Sequence, residues 1–188
     1  KIDEIPFDFA RRRLSVIVSD GQKTQMITKG AVEEILGIST MVDYQGNVSP
    51  ITNAIKENIK KITKDLNKQG LRVVAVCQKN NLEKTSEFTV SDEKNMVLIG
   101  FIGFLDPPKE SAKSSIEKLN KNGIRVIVLT GDNVEVTKCI CDKVGIKSPQ
   151  IVIGSQIDKL QDIAVKRLLK KTNIFAKLSP IQKARIVR

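Results

Sequence analysis

The apolar positions of this chain follow two rhythms, and the change between them falls near residue 105. In the first part they mark strands joined by tight turns. Residues 5–18 run from a loop into a strand, Asp20-Gly21 predicts a hairpin turn, and a second strand follows from Thr24 to Thr28. Lys29-Gly30-Ala31 ends that strand, and residues 32–36 predict one or two helical turns. Ser49 and Pro50 predict an N-cap with proline at the first helical position. Ile51, Ile55, Ile59, Ile62 and Leu66 follow at spacings of four, four, three and four, which is one apolar helix face. Gly70 closes the helix, residues 71–78 predict a strand, and the polar run from Asn80 to Lys94 predicts a surface loop. Residues 97–105 predict a buried strand, halted at Asp106-Pro107-Pro108-Lys109 because proline cannot donate to a ladder.

Beyond residue 105 strand and helix patterns alternate: helix 111–121, strand 124–129, helix 134–144 with Gly145 behind it, strand 151–153, helix 159–171, strand 173–176, and a helix opening at Ser179-Pro180. Alternation of this kind predicts a parallel sheet with right-handed crossovers. Its centre is the stretch 124–133, Ile-Arg-Val-Ile-Val-Leu-Thr-Gly-Asp-Asn, a run suited to a strand buried on both faces that breaks into a small polar turn. Ligands of open α/β sheets sit outside the carboxyl ends of the strands, which is where Thr130, Gly131 and Asp132 fall. The tripeptide alone is equally compatible with an ordinary turn.

Composition narrows the function classes. The 188 residues, 40% hydrophobic and 28% charged, can bury a core and hold one domain or two small ones. The absence of histidine and the irregular spacing of three cysteines exclude the common zinc arrangements and suit a reducing compartment. Cys139 and Cys141, two apart in a helical pattern, read as packing residues. The longest apolar run, 96–105, has ten residues, half of the roughly 20 needed to cross a bilayer. Lys1 opens no signal peptide and Arg188 falls inside a helical pattern, so the expectation is a piece of a longer protein. A formal charge of +11 suits phosphate ligands. Nucleic acid is not an expected partner, because the lysines are spread along helices as solvated faces and one tyrosine with six phenylalanines offers few stacking platforms.

Several separate stretches then coincide. Phe7-Asp8-Phe9-Ala10-Arg11-Arg12-Arg13-Leu14-Ser15-Val16, Lys29-Gly30-Ala31, Gly70-Leu71-Arg72-Val73, Asp106-Pro107-Pro108-Lys109, Thr130-Gly131-Asp132 and Phe175-Ala176-Lys177 with Pro180 and Lys183 stand in the order seen in P-type cation-transporting ATPases, which the whole chain resembles. Within that family it is most similar to the bacterial magnesium-importing branch, through the Arg-rich Phe-Asp-Phe opening, the string Lys29 to Leu36 and Asp-Pro-Pro-Lys-Glu. The resemblance implies an α/β fold in two parts. Residues 1–105 would be a nucleotide-binding domain lacking its upstream start, an antiparallel sheet with helices. Residues 106–188 would be a partial phosphorylation domain, a parallel α/β unit like the haloacid dehalogenases. The Asp-Lys-Thr-Gly-Thr strand bearing the phosphorylated aspartate is expected upstream of Lys1 and the Gly-Asp-Gly-x-Asn-Asp magnesium loop beyond Arg188.

Site roles are carried over from the family position by position. Phe7 matches the aromatic that stacks on adenine, worth roughly 1–3 kcal/mol per base on comparable platforms. Its plainer reading is a core phenylalanine, and Phe9 could play either part. Lys29, with Gly30 allowing close ligand approach, matches the lysine lining the adenosine pocket. Arg72 would reach the nucleotide phosphates with its guanidinium fork, and of the Arg11 to Arg13 run Arg12 is favoured as a further cation. Thr130 would donate a hydroxyl to the transferred phosphoryl, Gly131 would keep the turn open, and Asp132 would orient the nucleotide or its Mg²⁺. Lys183 would neutralise the phosphoryl oxygens, in a transfer that rests on positioning and electrostatics. Asp106 and Lys109 match the hinge between the domains. Lys177 stands where many relatives have arginine, which keeps the charge and puts a bidentate contact in doubt.

The expected function is ATP binding by a cytosolic piece of a bacterial membrane ATPase that works through an aspartyl-phosphate and moves a cation, magnesium first. ATP and Mg²⁺ are the expected cofactors, and the missing transmembrane and actuator domains the expected partners. No metal site is expected within the chain itself, and the piece alone should be inactive. A calcium-type P-type ATPase is the near alternative. A haloacid dehalogenase-like phosphatase would need its own Asp-x-Asp motif, which does not occur here. A basic binding module would explain the charge but not the ordered motifs.

Overall fold

The computed structural model describes residues 1–82 and 87–188, so residues 83–86 of the expected 80–94 loop lie outside the described residues. The chain divides into two compact units, Lys1–Lys64 with Val73–Phe104 and Asp65–Arg72 with Leu105–Arg188.

The first unit is built on a seven-stranded sheet in the order β1-β2-β3-β6-β7-β4-β5. Its strands are β1 (Asp3–Asp8), β2 (Arg13–Ser19), β3 (Thr24–Gly30), β4 (Ser39–Tyr44), β5 (Asn47–Pro50), β6 (Leu71–Asn80) and β7 (Met96–Leu105). β1, β2, β3 and β6 pair antiparallel, β4 pairs antiparallel with β5, and β4 lies parallel to β7. Helices α1 (Val32–Ile38) and α2 (Asn53–Lys68) contribute Val32, Ile35, Leu36 and Ile59 to one cluster with Ile5, Ile17, Met26, Ala75, Cys77, Met96 and Leu98 of the strands. Period-two alternation places Ser15 and Thr28 in the same inward row as Ile17 and Met26, and both are fully buried.

Three expectations for this unit fail, each for a physical reason. The stretch 5–18 does not open on a loop, because its first residues belong to strand β1; Pro6 is tolerated there because β1 is an edge strand. Ser49 and Pro50 do not open a helix but end β5, whose hairpin with β4 turns at Gln45 and Gly46, both at positive φ (53° and 85°). That pair of left-handed residues defines a type I′ turn, written here with Gln-Gly in place of Asn-Gly, and Asp43 Oδ1 accepts the Gly46 N–H at 2.8 Å. β7 is buried only at its start, because β4 pairs with it only at Met96–Leu98, and Phe101, Ile102, Phe104 and Leu105 are exposed.

The second unit holds a three-stranded, all-parallel sheet in the order β8-β10-β9, from β8 (Val128–Leu129), β9 (Ile151–Ile153) and β10 (Ile174–Ala176). Its helices are α3 (Ser111–Lys121), α4 (Val134–Val144), α5 (Gly154–Ile157), α6 (Asp162–Lys171) and α7 (Pro180–Val187). Alternate strand residues feed separate cores. Val126, Val128, Ile151 and Ile174 pack with Cys141 and Val144 of α4 and Ile116 of α3, whereas Ile127, Leu129, Val152 and Phe175 pack with Val165 of α6 and Ile186 of α7. Two apolar faces with helices on both are what a parallel sheet requires. The expected strand 124–129 is laddered only at Val128 and Leu129, and it is half-buried because β8 has a single neighbour, β10. The expected helix 159–171 begins only at Asp162, as α6, and the short helix α5 after β9 was not expected.

Candidate functional site

In the first unit, the turn between β1 and β2 carries the Arg-rich motif. Asp8 Oδ1 accepts the N–H groups of Ala10 at 2.7 Å and Arg11 at 2.8 Å, and those two bonds hold its carboxyl below the usual aspartate range. Arg12 takes a left-handed φ of 48°, donates its side chain to Glu34, and gives its carbonyl to Ala31 N–H at 3.0 Å. Gly30 is required at that point. A Cβ there would lie 2.6 Å from the Arg12 carbonyl oxygen, so the glycine serves backbone packing in addition to any ligand approach. Phe7 is half-exposed and meets the still more exposed Phe9 edge to face, with ring centroids 5.2 Å apart. Lys29 is exposed on β3, opposite Leu14 of β2 and Val76 of β6. The register therefore carries Phe7 and Lys29 to the same end of the β1-β2-β3 ladder, two strands or about 10 Å apart.

Sequence reading missed what lies beneath this surface. Glu93 has a side chain with no exposed area, and three donors from β2 and the turn before it make four hydrogen bonds to the carboxylate. Arg11 Nη1 donates to Oε1 at 3.0 Å and Oε2 at 2.8 Å, Arg13 Nε to Oε2 at 2.7 Å, and Ser15 Oγ to Oε1 at 2.7 Å. Since the Ser15 hydrogen goes to Glu93, the Thr28 hydroxyl donates to Ser15 Oγ at 2.7 Å. Burial would raise the Glu93 pKa, but the hydrogen bonds from Ser15, Arg13 and Arg11 outweigh it and hold the carboxyl below the usual glutamate range. Arg11 and Arg13 are thus committed inward, and Arg12 is the member of the run that faces away from Glu93. The available signal was a pair of polar residues, Ser15 and Thr28, in an otherwise apolar inward row, which implies a buried polar partner.

In the second unit the Thr-Gly-Asp turn lies beyond the carboxyl end of β8. Three backbone bonds lock it to β10 and the segment after it: Thr130 N–H to Phe175 O at 3.0 Å, Leu178 N–H to Thr130 O at 3.0 Å, and Lys177 N–H to Asp132 O at 2.7 Å. Thr130 Oγ1 donates to Asp132 Oδ2 at 2.9 Å and accepts the Asp132 N–H at 3.1 Å. Arg72 Nη2, which falls in this unit, donates to the same Oδ2 at 2.9 Å and stands 3.6 Å from Asp106 Oδ2. Lys177 takes a left-handed φ of 52° as the chain turns into α7, whose N-terminus is capped by Ser179 with Gln182. Lys183 is half-buried on the first turn of α7, and Lys109 is exposed ahead of α3. The structure thus gathers Thr130, Gly131, Asp132 and Arg72 with Asp106, and sets the α7 opening beside them.

Two carboxylates, those of Asp132 and Asp106, with the Thr130 hydroxyl do not enclose a metal. They suit Mg²⁺ that arrives with nucleotide phosphates, since that ion keeps several waters and takes one or two protein carboxylates. Among the described residues no group of three or more His, Cys, Asp and Glu side chains could hold a metal ion, and no helix is long and apolar enough to cross a membrane. A shallow concavity lined by Asp20, Lys23, Gln25, Asn80 and Asn81 lies at the β2–β3 turn and includes none of the candidate residues.

A mostly antiparallel sheet with helices carries the Phe-Asp-Phe and Lys-Gly-Ala segments at one end of its ladder. The profile of the family described as "P-type ATPase, cytoplasmic domain N" matches residues 1–111, and the chain belongs to the P-type ATPases. Over all 188 residues it is 43% identical to the magnesium-transporting ATPase, P-type 1, of Escherichia coli K12 and to the protein of that name in Salmonella typhimurium. It is 29% identical over its whole length to calcium-transporting ATPase 1 of Bacillus cereus. The chain spans 21% of the length of each of these relatives.

Proposed function

We propose that this chain is the ATP-binding part of a bacterial P-type ATPase that hydrolyses ATP through an aspartyl-phosphate and moves a cation across the cell membrane. Magnesium is the ion of choice, because relatives at 43% identity are named for it while the calcium-named relative stands at 29%. Residues 1–105 act as the nucleotide-binding domain and 106–188 as part of a haloacid dehalogenase-like phosphorylation domain on the cytoplasmic side. Transmembrane and actuator parts of the same protein are its partners.

The observation that carries this reading is the Thr-Gly-Asp turn at the carboxyl end of a parallel sheet, tied by three backbone bonds to β10 and the segment that leads from it into α7. That geometry supports Thr130 and the Gly131 backbone as a phosphoryl cradle, Asp132 as the group that orients Mg²⁺-bound nucleotide, and Lys183 as the neutralising cation. In the first unit Phe7 stacks on adenine, Lys29 and Gly30 border the adenosine, and Arg12 adds a cation. Arg72 reaches the phosphates after leaving Asp132, and Asp106 with Lys109 forms the hinge. The chain contains no Asp-Lys-Thr-Gly-Thr sequence, so it holds groups that position a phosphoryl but not the attacking carboxylate. Fixed nucleophiles supply effective molarities of about 10⁵–10⁸ M, and without one hydrolysis stays near background.

One experiment with γ-labelled ATP and Mg²⁺ tests both halves. Native filter binding should retain label that unlabelled ATP displaces and short DNA does not, and acid quench should leave none. A hydroxylamine-sensitive label on the chain would mean that an acyl phosphate forms here and that the division of labour is wrong. Absence of native binding would remove the nucleotide role.

A further inference from the structure

We infer that Glu93 is a positioning residue for the nucleotide site, a buried carboxylate that holds the segment bearing Phe7 and Arg12 in its binding shape. The inference rests on the nucleotide reading of those two residues and adds a residue to it. Glu93 touches no ligand surface, since its side chain is fully buried. Arg11 Nη1 alone spans both oxygens of the carboxylate, and Arg11 Nη2 donates to the carbonyl of Pro6 at 2.7 Å. One guanidinium therefore ties the carboxylate to the peptide unit that leads into Phe7.

Arg13 fixes the other end of the same turn through Nε, and Ser15 anchors β2 one inward position further on. Between these clamps the chain makes the Asp8 turn, the left-handed residue Arg12 and the bulge between Ile5 and Asp8 that leaves Phe7 half-exposed. None of those shapes is a regular ladder, so their persistence needs an outside constraint. Two cations converging on one desolvated carboxylate supply it, because charge-assisted bonds in a water-free setting are short and directional. Glu93 itself is held in place by the single helical turn Val90–Asp92, whose capping box joins Thr89 and Asp92, and by Phe88 N–H on Asp3 Oδ2 at 2.9 Å. The segment 87–93 therefore grips both β1 and β2.

The test uses the whole chain with Glu93→Gln and, because removing a buried charge can prevent folding, Arg11→Lys as the second variant. Arg11→Lys keeps the charge but loses the second nitrogen, and with it the Pro6 link. Two readouts are taken: calorimetric Kd for ATP and ADP, and NMR resonances of the ligand-free chain. Either folded variant should raise both Kd values about tenfold, within what one base-stacking contact contributes. Its resonance changes should concentrate at residues 6–13, including the Phe7 and Phe9 rings. A role in stability alone would lower Tm and leave Kd and those resonances as in the parent, which overturns the inference. If the parent itself binds no ATP, the nucleotide reading fails, and the ligand-free spectra still decide whether Glu93 shapes residues 6–13.

Discussion

The two units place their candidate residues by opposite means. In the first, Phe7 lies near the end of β1 and Arg12 in the irregular turn after it, a segment clamped through Arg11 and Arg13 to Glu93, about eighty residues away in sequence. In the second, Thr130, Gly131 and Asp132 sit on a turn closed by its own side chains and by bonds to the neighbouring strand end. A site made from a long-range ionic clamp is exposed to changes far from it, whereas one made at the ends of parallel strands fails only with the sheet itself. This difference orders the expected effects of perturbation.

The largest effect is expected in the second unit. Phe175 is fully buried on the central strand of a three-stranded sheet, so Phe175→Ala should cost about 3–5 kcal/mol. Hydrogen exchange should show the loss at amides of β8, β9 and β10, with the first unit's protection retained; equal loss in both would break the comparison. Gly30→Ala acts in the first unit. Its new Cβ meets backbone at 2.6 Å, and relieving such overpacking costs about 1–3 kcal/mol, read as a lowered urea midpoint. An unchanged midpoint would mean that the Arg12 turn is free to move aside.

Acid provides the mildest contrast. Asp3, Asp8, Asp20 and Glu93, all of the first unit, have carboxyl groups held below their ordinary values, the three aspartates by backbone N–H groups and Glu93 by Ser15, Arg13 and Arg11 against the cost of burial. A lowered folded pKa adds stability that is complete above the unfolded values, about 3.9 for aspartate and 4.3 for glutamate, and is lost as pH falls through the folded ones. Exchange protection of β1, β2 and β3 should therefore decline as pH falls below about 4. Protection that holds or rises across that range would contradict the assigned shifts.

This contrast also explains what could be read from the sequence. The second unit's order of elements was legible because each helix and strand is a local pattern, and Thr130-Gly131-Asp132 was legible because it follows its strand directly. The β4–β5 hairpin was not. Its residues are mostly polar and exposed, and Gln45-Gly46 is an uncommon spelling of the turn, so the proline at residue 50 suggested a helix start instead. The motif around Phe7 was visible through the family pattern, but the inward commitment of Arg11 and Arg13 depends on Glu93, in a stretch whose polarity suggested only a surface loop.

The central claim, that Phe7 forms the adenine platform of this unit, is met most directly by calorimetric titration of ATP and ADP into the parent chain and Phe7→Ala. The half-exposed ring has little packing to lose, so the variant should remain folded by circular dichroism. Both nucleotides carry the same base, and the account predicts that both lose about 1–3 kcal/mol of binding together. A folded Phe7→Ala chain with the parent's affinity for ATP and ADP would contradict it.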